Sequence, residues 1–252
     1  LISEDTRKVF SLAIPAALKH LVDILQILID MLMVGMISVY ALAAVGLSMQ
    51  FMMIINVLTT LYIIGGNALI SRFIGEGRKK RASSLLFSLG IFASFLSVFV
   101  TFAGYFGSEN FYIWMGSEAE VVEQGSLYFK ILSLGMVVIF IDALLYNALS
   151  AAGDTKSSLY IKLFSAFLNA FLNYVLIFGH FGFEAMGIEG AAIATVIAYA
   201  FNVLVYLILL KLPHSKLNLI PVIRIKDLKR AWHVGWSAAL DRFISSISFL
   251  FF

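Results

Sequence analysis

Apolar residues in this chain come in long runs separated by short polar stretches. No Asp, Glu, Lys or Arg occurs in 31–71, 82–108, 163–183 or 190–210. Roughly 20 apolar helical residues cross a hydrocarbon core, so the first run holds most of two helices. The runs are continuous rather than alternating, which excludes a closed barrel as the main reading. The pattern predicts spans over about 10–37, 41–71, 82–107, 121–151, 157–178, 190–212 and 230–252.

Composition agrees. Apolar residues make up 61% of the 252 residues and charged residues 13%, against roughly 45–50% and about 25% in soluble domains. There is no cysteine, so disulfides, thiol catalysis and iron–sulfur ligation are excluded. The four histidines (His20, His180, His214, His233) do not stand at metal-ligand spacing. No cleavable signal peptide is evident. The chain opens with Leu1 rather than Met, and residues missing before it are expected.

Charge placement gives the count independently. Basic residues gather at Arg7 and Lys8, at Arg72 and Arg78 to Arg81, at Lys156 and Lys162, and from Lys211 to Arg230. The alternate connections carry Glu109, Glu118, Glu120, Glu123, Glu184 and Glu189 instead. The positive-inside rule then places the N-terminus and every even-numbered connection in the cytoplasm. Six helices with both ends inside fit. The run Arg78-Lys-Lys-Arg81 sits between two apolar spans and reads as a topology determinant rather than a nucleic-acid patch.

The expected organisation is an all-α integral membrane protein: a six-transmembrane-helix lobe over 1–212, a cytoplasmic linker along the membrane surface over 213–229, and the start of a seventh helix over 230–252. Pro15-Ala-Ala-Leu-Lys-His-Leu-Val-Asp23 and Ser237-Ala-Ala-Leu-Asp-Arg-Phe-Ile-Ser245 open spans one and seven alike. That is the signature of a parallel repeat of two six-helix halves. The chain is then expected to stop inside its seventh helix, at Phe251-Phe252, with the second lobe absent.

Polar residues inside the spans form stripes. Lys19, Asp23, Gln26 and Asp30 stand at i, i+4, i+7 and i+11, within about 60° of one another on a helix. Lys19 and Asp23 can neutralise each other. Asp30 has no cation within a turn, so another helix, a bound cation or a proton must meet its charge. Span five repeats the offsets with Lys162, Asn169 and Asn173, and span six with Thr195, Tyr199, Asn202 and Tyr206. Span two has Asn56, Thr60 and Asn67, and span four Asp142 and Tyr146. Any one Asn or Thr could be inter-helix glue; five such stripes point to a shared polar interior. Asp30 and Asp142 are the candidates for ion or proton handling, since charges persist in spans where they face protein or a watery cavity. Gly190, Ala194 and Ala198 permit a close helix approach. Pro15 either bends span one or occupies its first turn.

Several of these stretches together resemble the multidrug and toxic compound extrusion (MATE) family. They are Ile14-Pro15 through Leu28-Ile29-Asp30-Met31-Leu32-Met33-Val34-Gly35, the Gly65-Gly66 to Gly75-Glu-Gly77 stretch, Ala152-Gly153-Asp154-Thr155-Lys156, Asn169-Ala-Phe-Leu-Asn173, and Gly187-Ile-Glu-Gly190 through Thr195. The resemblance implies the N-terminal lobe of a twelve-helix, two-lobe antiporter in the plasma (inner) membrane. Such a protein exports organic, often cationic or amphipathic, compounds against Na⁺ or H⁺, with no other cofactor. It also implies an N-lobe cation site at Asp30, Asn169, Asn173 and Thr195. Asn173 departs from members that carry Asp there, which removes one negative charge from a Na⁺ site. Asp23, Gln26, Asp142, Tyr146, Tyr199 and Asn202 are the further candidates for the substrate cavity or coupling.

The alternative within the same superfamily is a lipid-linked-oligosaccharide flippase, which needs a cationic cavity for pyrophosphate. Only Lys19 and Lys162 enter the polar faces. A membrane enzyme would need a His, Cys or Ser/His/Asp constellation at depth, and the sequence shows none.

Overall fold

The structure is a computed structural model that describes residues 4–250. Leu1 and the expected end of the chain at Phe251-Phe252 lie outside the described residues. Among those residues there is no strand, and eight helices follow in order. They are α1 (Glu4–Gly35), α2 (Val39–Gly75), α3 (Lys79–Trp114), α4 (Ala119–Leu134), α5 (Met136–Ala151), α6 (Thr155–Phe178), α7 (Gly187–Lys211) and α8 (Ile225–Leu250). By length and apolarity α1, α2, α3, α6 and α7 can each cross a membrane, and α4 with α5 makes a sixth crossing. The expected six-helix bundle is therefore present.

The fourth span is not one straight helix. It breaks at Gly135, where α4 and α5 meet at 57°. A Cβ at Gly135 would come 2.5 Å from Val196 Cγ2 on α7, so glycine lets α7 close against the break. Backbone N–H groups at the break still bond the carbonyls of Ile131, Leu132 and Ser133, as lipid requires of every backbone polar group. Thr101 on α3 adds a second donor to one of them, its Oγ1 donating to the Ser133 carbonyl at 2.9 Å.

Pro15 also departs from one of its two readings. It lies well inside the continuous helix α1 rather than in its first turn. Its ring removes an N–H from the interior ladder, the condition for a bend at that level.

Helix α8 begins at Ile225, ahead of the expected 230, and packs along α2. Over its described residues it is not apolar enough to count as a crossing. The two helices touch through glycines. A Cβ on Gly65 would collide with the Ala231 carbonyl, and one on Gly235 with that of Leu61.

The stretch 213–224 joins α7 to α8. It is fastened to the first turns of α3. The Asn218 N–H donates to Ser83 Oγ (3.0 Å), the Arg224 N–H to Ser88 Oγ (2.9 Å), and Lys79 Nζ to the Ser215 carbonyl (2.5 Å). Leu217, within the stretch, is fully buried. Arg81 then grips Asp227 through both carboxylate oxygens, at 3.0 and 2.7 Å. The guanidinium also covers the Phe73 ring at 4.5 Å. These hydrogen bonds hold the Asp227 carboxyl below its ordinary range, against burial, which raises it.

Candidate functional site

The site lies where α1 and α6 pack together. Local signals fix the start and end of α6. Gly153 turns the chain with φ +87°, and Asp154 caps the helix by accepting from the Ser157 N–H at 3.1 Å. Gly179 ends it in the left-handed region at φ +74°. Between those caps, Lys162, Asn169 and Asn173 share one face, which meets the stripe Lys19, Asp23, Gln26 and Asp30 of α1.

The two stripes mesh rung by rung. Asp23 receives Lys19 Nζ on Oδ2 at 2.6 Å and Lys162 Nζ on Oδ1 at 2.9 Å. Lys162 also donates to Gln26 Oε1 at 2.7 Å. Gln26 Nε2 passes the chain on to Asn169 Oδ1 at 3.1 Å. Asn173 Nδ2 donates to Asp30 Oδ1 at 2.6 Å and reaches Asn169 Oδ1 at 3.5 Å. Asn169 and Asn173 are fully buried. The partner that the sequence requires for Asp30 is thus an amide. Among the described residues no cationic side chain lies within ion-pair distance of it.

Two buried atoms in this cluster lack a partner among the described residues: Asn173 Oδ1 and Asn169 Nδ2. The first is an unused oxygen one atom from the Asp30 contact, and with its amide turned over Asn173 would present that oxygen beside the carboxylate. Carboxylate and amide oxygens are suitable donors for a hard cation. Thr195, on α7, donates to the Ala191 carbonyl of its own helix at 3.0 Å. Among the described residues no hydrogen bond joins it to the other three.

Asp142, on α5, has an enclosed Oδ1 without a hydrogen-bond partner, as has Oδ1 of Asn202, itself buried on α7. Asp142 lies within electrostatic reach of Lys162, Lys19 and Asp23. Tyr146 lies under Lys19, its ring centre 4.1 Å from Nζ. Tyr199 is within reach of Lys162, Asp142, Asp23 and Asp30.

Span two does not contribute as expected. Asn56 donates to the Met52 carbonyl, and Thr59 and Thr60 donate to that of Asn56, all on α2 itself. Of the stripe Asn56, Thr60 and Asn67, Asn67 alone among the described residues bonds another helix, to Asn147 on α5 at 3.3 Å. Sequence reasoning missed Tyr128 on α4, nearly buried and within electrostatic reach of Asp30; a lone Tyr in an apolar helix gives no signal. It also missed the pairing of Lys162 with Asp23. The small-residue row on α7 does pack closely: a Cβ at Gly190 would come 2.7 Å from the Leu176 carbonyl carbon. Ser165 Oγ ties α6 to α7 through the Ala198 carbonyl at 3.2 Å. A cavity of about 190 Å³ between α2, α3 and α8, bounded by Tyr62, Phe92 and Trp232, is apolar and stands apart from this chemistry.

A helical membrane bundle with ionisable side chains meshed inside it defines a polytopic transporter-like protein. Residues 15–175 match the MatE family model, and the chain belongs to that family, whose members are transporters and not enzymes. It is 29% identical over its full length to a probable multidrug resistance protein NorM of Thermotoga maritima, spanning 54% of that relative. It is 26% identical over 98% of its length to the uncharacterised transporter YisQ of Bacillus subtilis, spanning 55% of it. Among solved structures, a MOP superfamily transporter from Pyrococcus furiosus matches with a TM-score of 0.87 at 24% identity, over 99% of this chain and 55% of that one. A MATE structure in the bent conformation matches with a TM-score of 0.86 at 25% identity, over 99% of this chain and 56% of that one. The chain spans about half the length of the relatives it matches and corresponds to their N-terminal lobe.

Proposed function

We propose that this chain is the coupling lobe of a multidrug antiporter: Na⁺ or H⁺ enters while an organic compound leaves. The reading takes the N-terminus and the Arg78–Arg81 connection to be cytoplasmic in the plasma (inner) membrane, with a second lobe completing the pathway. The observation that carries it is Asp30, a carboxylate within a membrane span whose described partner is the Asn173 amide. A charge in that position costs about 2.5–3.5 kcal/mol on insertion scales, so a bound cation or proton stabilises it.

Coupling follows from the meshed stripes. A cation or proton on Asp30 competes with the Asn173 amide and alters one rung of the α1–α6 contact. The upper part of α1, beyond Pro15, is then free to bend differently relative to α6. An ion shifts that balance only by its differential affinity for the two arrangements. Solved MATE structures similar to this chain include a bent and a straight conformation, which supports an exchange between two arrangements here. Asp30, Asn173 and Asn169 are the proposed ion site, with Thr195 as a further oxygen on α7. Asp142 and Asn202, with their unpartnered oxygens, belong to the same polar interior.

The test uses the full-length protein in vesicles, with a Na⁺ gradient and a pH gradient imposed separately. One gradient is expected to drive efflux, and Asp30→Asn is expected to abolish it while the protein still inserts. Efflux indifferent to both gradients would overturn the reading.

A further inference from the structure

Asp23 is the carboxylate of two ammonium groups at once. Lys19 and Lys162 approach it from different helices, one on each oxygen. Within ion-pair distance the group therefore holds one positive charge more than it can neutralise. Asp142 is within electrostatic reach of both lysines, yet among the described residues it forms no ion pair with either and leaves Oδ1 unpartnered. Among the described residues both ammoniums keep N–H donors to spare, because Lys162 uses its donors on Asp23 and Gln26, and Lys19 on Asp23. An aromatic face adjoins Lys19, with the Tyr146 ring under its ammonium, and the Tyr199 hydroxyl is within electrostatic reach of Lys162. None of these side chains is fully exposed; Lys162 retains 11% of its surface.

We propose that Lys19 and Lys162 are an anion-recognising pair, and that the compound this lobe takes up is an organic acid: one carboxylate on an aromatic or apolar body. The proposal rests on the transporter reading and deepens it by assigning the charge of the cargo, opposite to the cationic one that the family resemblance implied. The incoming carboxylate takes the place of Asp23 between the ammoniums, and the Tyr146 ring covers the body.

Three probes sharing one fluorophore test this on the purified full-length protein by fluorescence titration: dansylglycine (anionic), its methyl ester (neutral) and dansylcadaverine (cationic). Dansylglycine is expected to bind about tenfold tighter than dansylcadaverine, a difference of about 1.4 kcal/mol. Lys162→Met is expected to bring the two within about twofold, and Lys162→Arg, which keeps the charge, to retain the preference. Dansylcadaverine binding as tightly as dansylglycine in the wild type, no saturable dansylglycine binding, or a preference that survives Lys162→Met would each overturn the proposal. Equilibrium binding needs no gradient. If coupled efflux fails while the anion preference holds, the antiport reading falls and the lysine pair stands.

Discussion

Asn173 Nδ2 meets Asp30 Oδ1 at 2.6 Å across the α1–α6 interface, so an amide, not a second acid, faces the carboxylate. That choice sets how tightly a cation can be held. Asn173→Asp would place two carboxylates side by side, and neighbouring like charges disfavour the ionised pair unless a cation joins them. We expect Na⁺ binding, measured with ²²Na⁺ on the full-length protein, to tighten by about tenfold, about 1.4 kcal/mol. The variant should also melt lower than wild type without Na⁺ and recover when Na⁺ is added. Unchanged Na⁺ binding would remove Asn173 from the ion site.

The break in the fourth crossing yields a second prediction. Gly135→Ala places a methyl against Val196 Cγ2, and overpacking of this kind costs about 1–3 kcal/mol. Val196→Ala should restore most of the loss when combined with it, as a coupled pair in a double-mutant cycle. Thermal melting of the four proteins in detergent reads the coupling, and purely additive losses would refute the contact.

The Arg81–Asp227 grip supplies a pH test. Asp227 titrates below its ordinary range in the folded protein, so its contribution is fully present above the ordinary carboxylate range of about 4. It is lost as pH falls through the lowered folded value. Hydrogen exchange across 213–224 should therefore stay slow down to about pH 4 and quicken only below it. Asp227→Asn should exchange about tenfold faster in that stretch already at pH 7. Equal exchange in the two proteins would mean that the serine contacts alone hold it.

A fourth prediction concerns the α2–α8 crossing. At Gly65 and Gly235 the obstacle to a Cβ is a backbone carbonyl rather than a flexible side chain. Gly65→Ala should loosen α8 from α2, seen as a rise in Trp232 and Trp236 exposure to a water-soluble quencher. Gly107→Ala, where a Cβ meets nothing within 4 Å, should leave both tryptophans as they are.

Much of this was legible in the sequence, for physical reasons. Membrane spans need long apolar runs, and the stripe from Lys19 to Asp30 follows from helical periodicity. Its counterpart on α6 shows the same offsets, so the meeting of the two could be anticipated. Periodicity does not say whether a polar residue reaches outward. Thr60 stands in a stripe of the same kind, yet its hydroxyl returns to its own helix at the Asn56 carbonyl. The break at Gly135 was hidden because Val196, the side chain that packs against it, lies on another helix. The fastening of 213–224 was hidden likewise, since Ser83 and Ser88 look like ordinary small residues of an apolar helix until Asn218 and Arg224 arrive on them.

The hydroxyl of Thr101 has a mechanical consequence. A helix that bends must ordinarily break hydrogen bonds within itself, and in lipid each broken bond resists the motion. Here the Ser133 carbonyl at the 57° break is held from α3 as well as by a backbone N–H, so the fourth crossing comes with its bend already made and one side of it pinned. Its halves α4 and α5 act as two levers on a fixed pivot. Tyr128 rides on one and Asp142 on the other, so a change of angle at the pivot alters the spacing between the surroundings of Asp30 and the lysine pair without severing a rung of either helix.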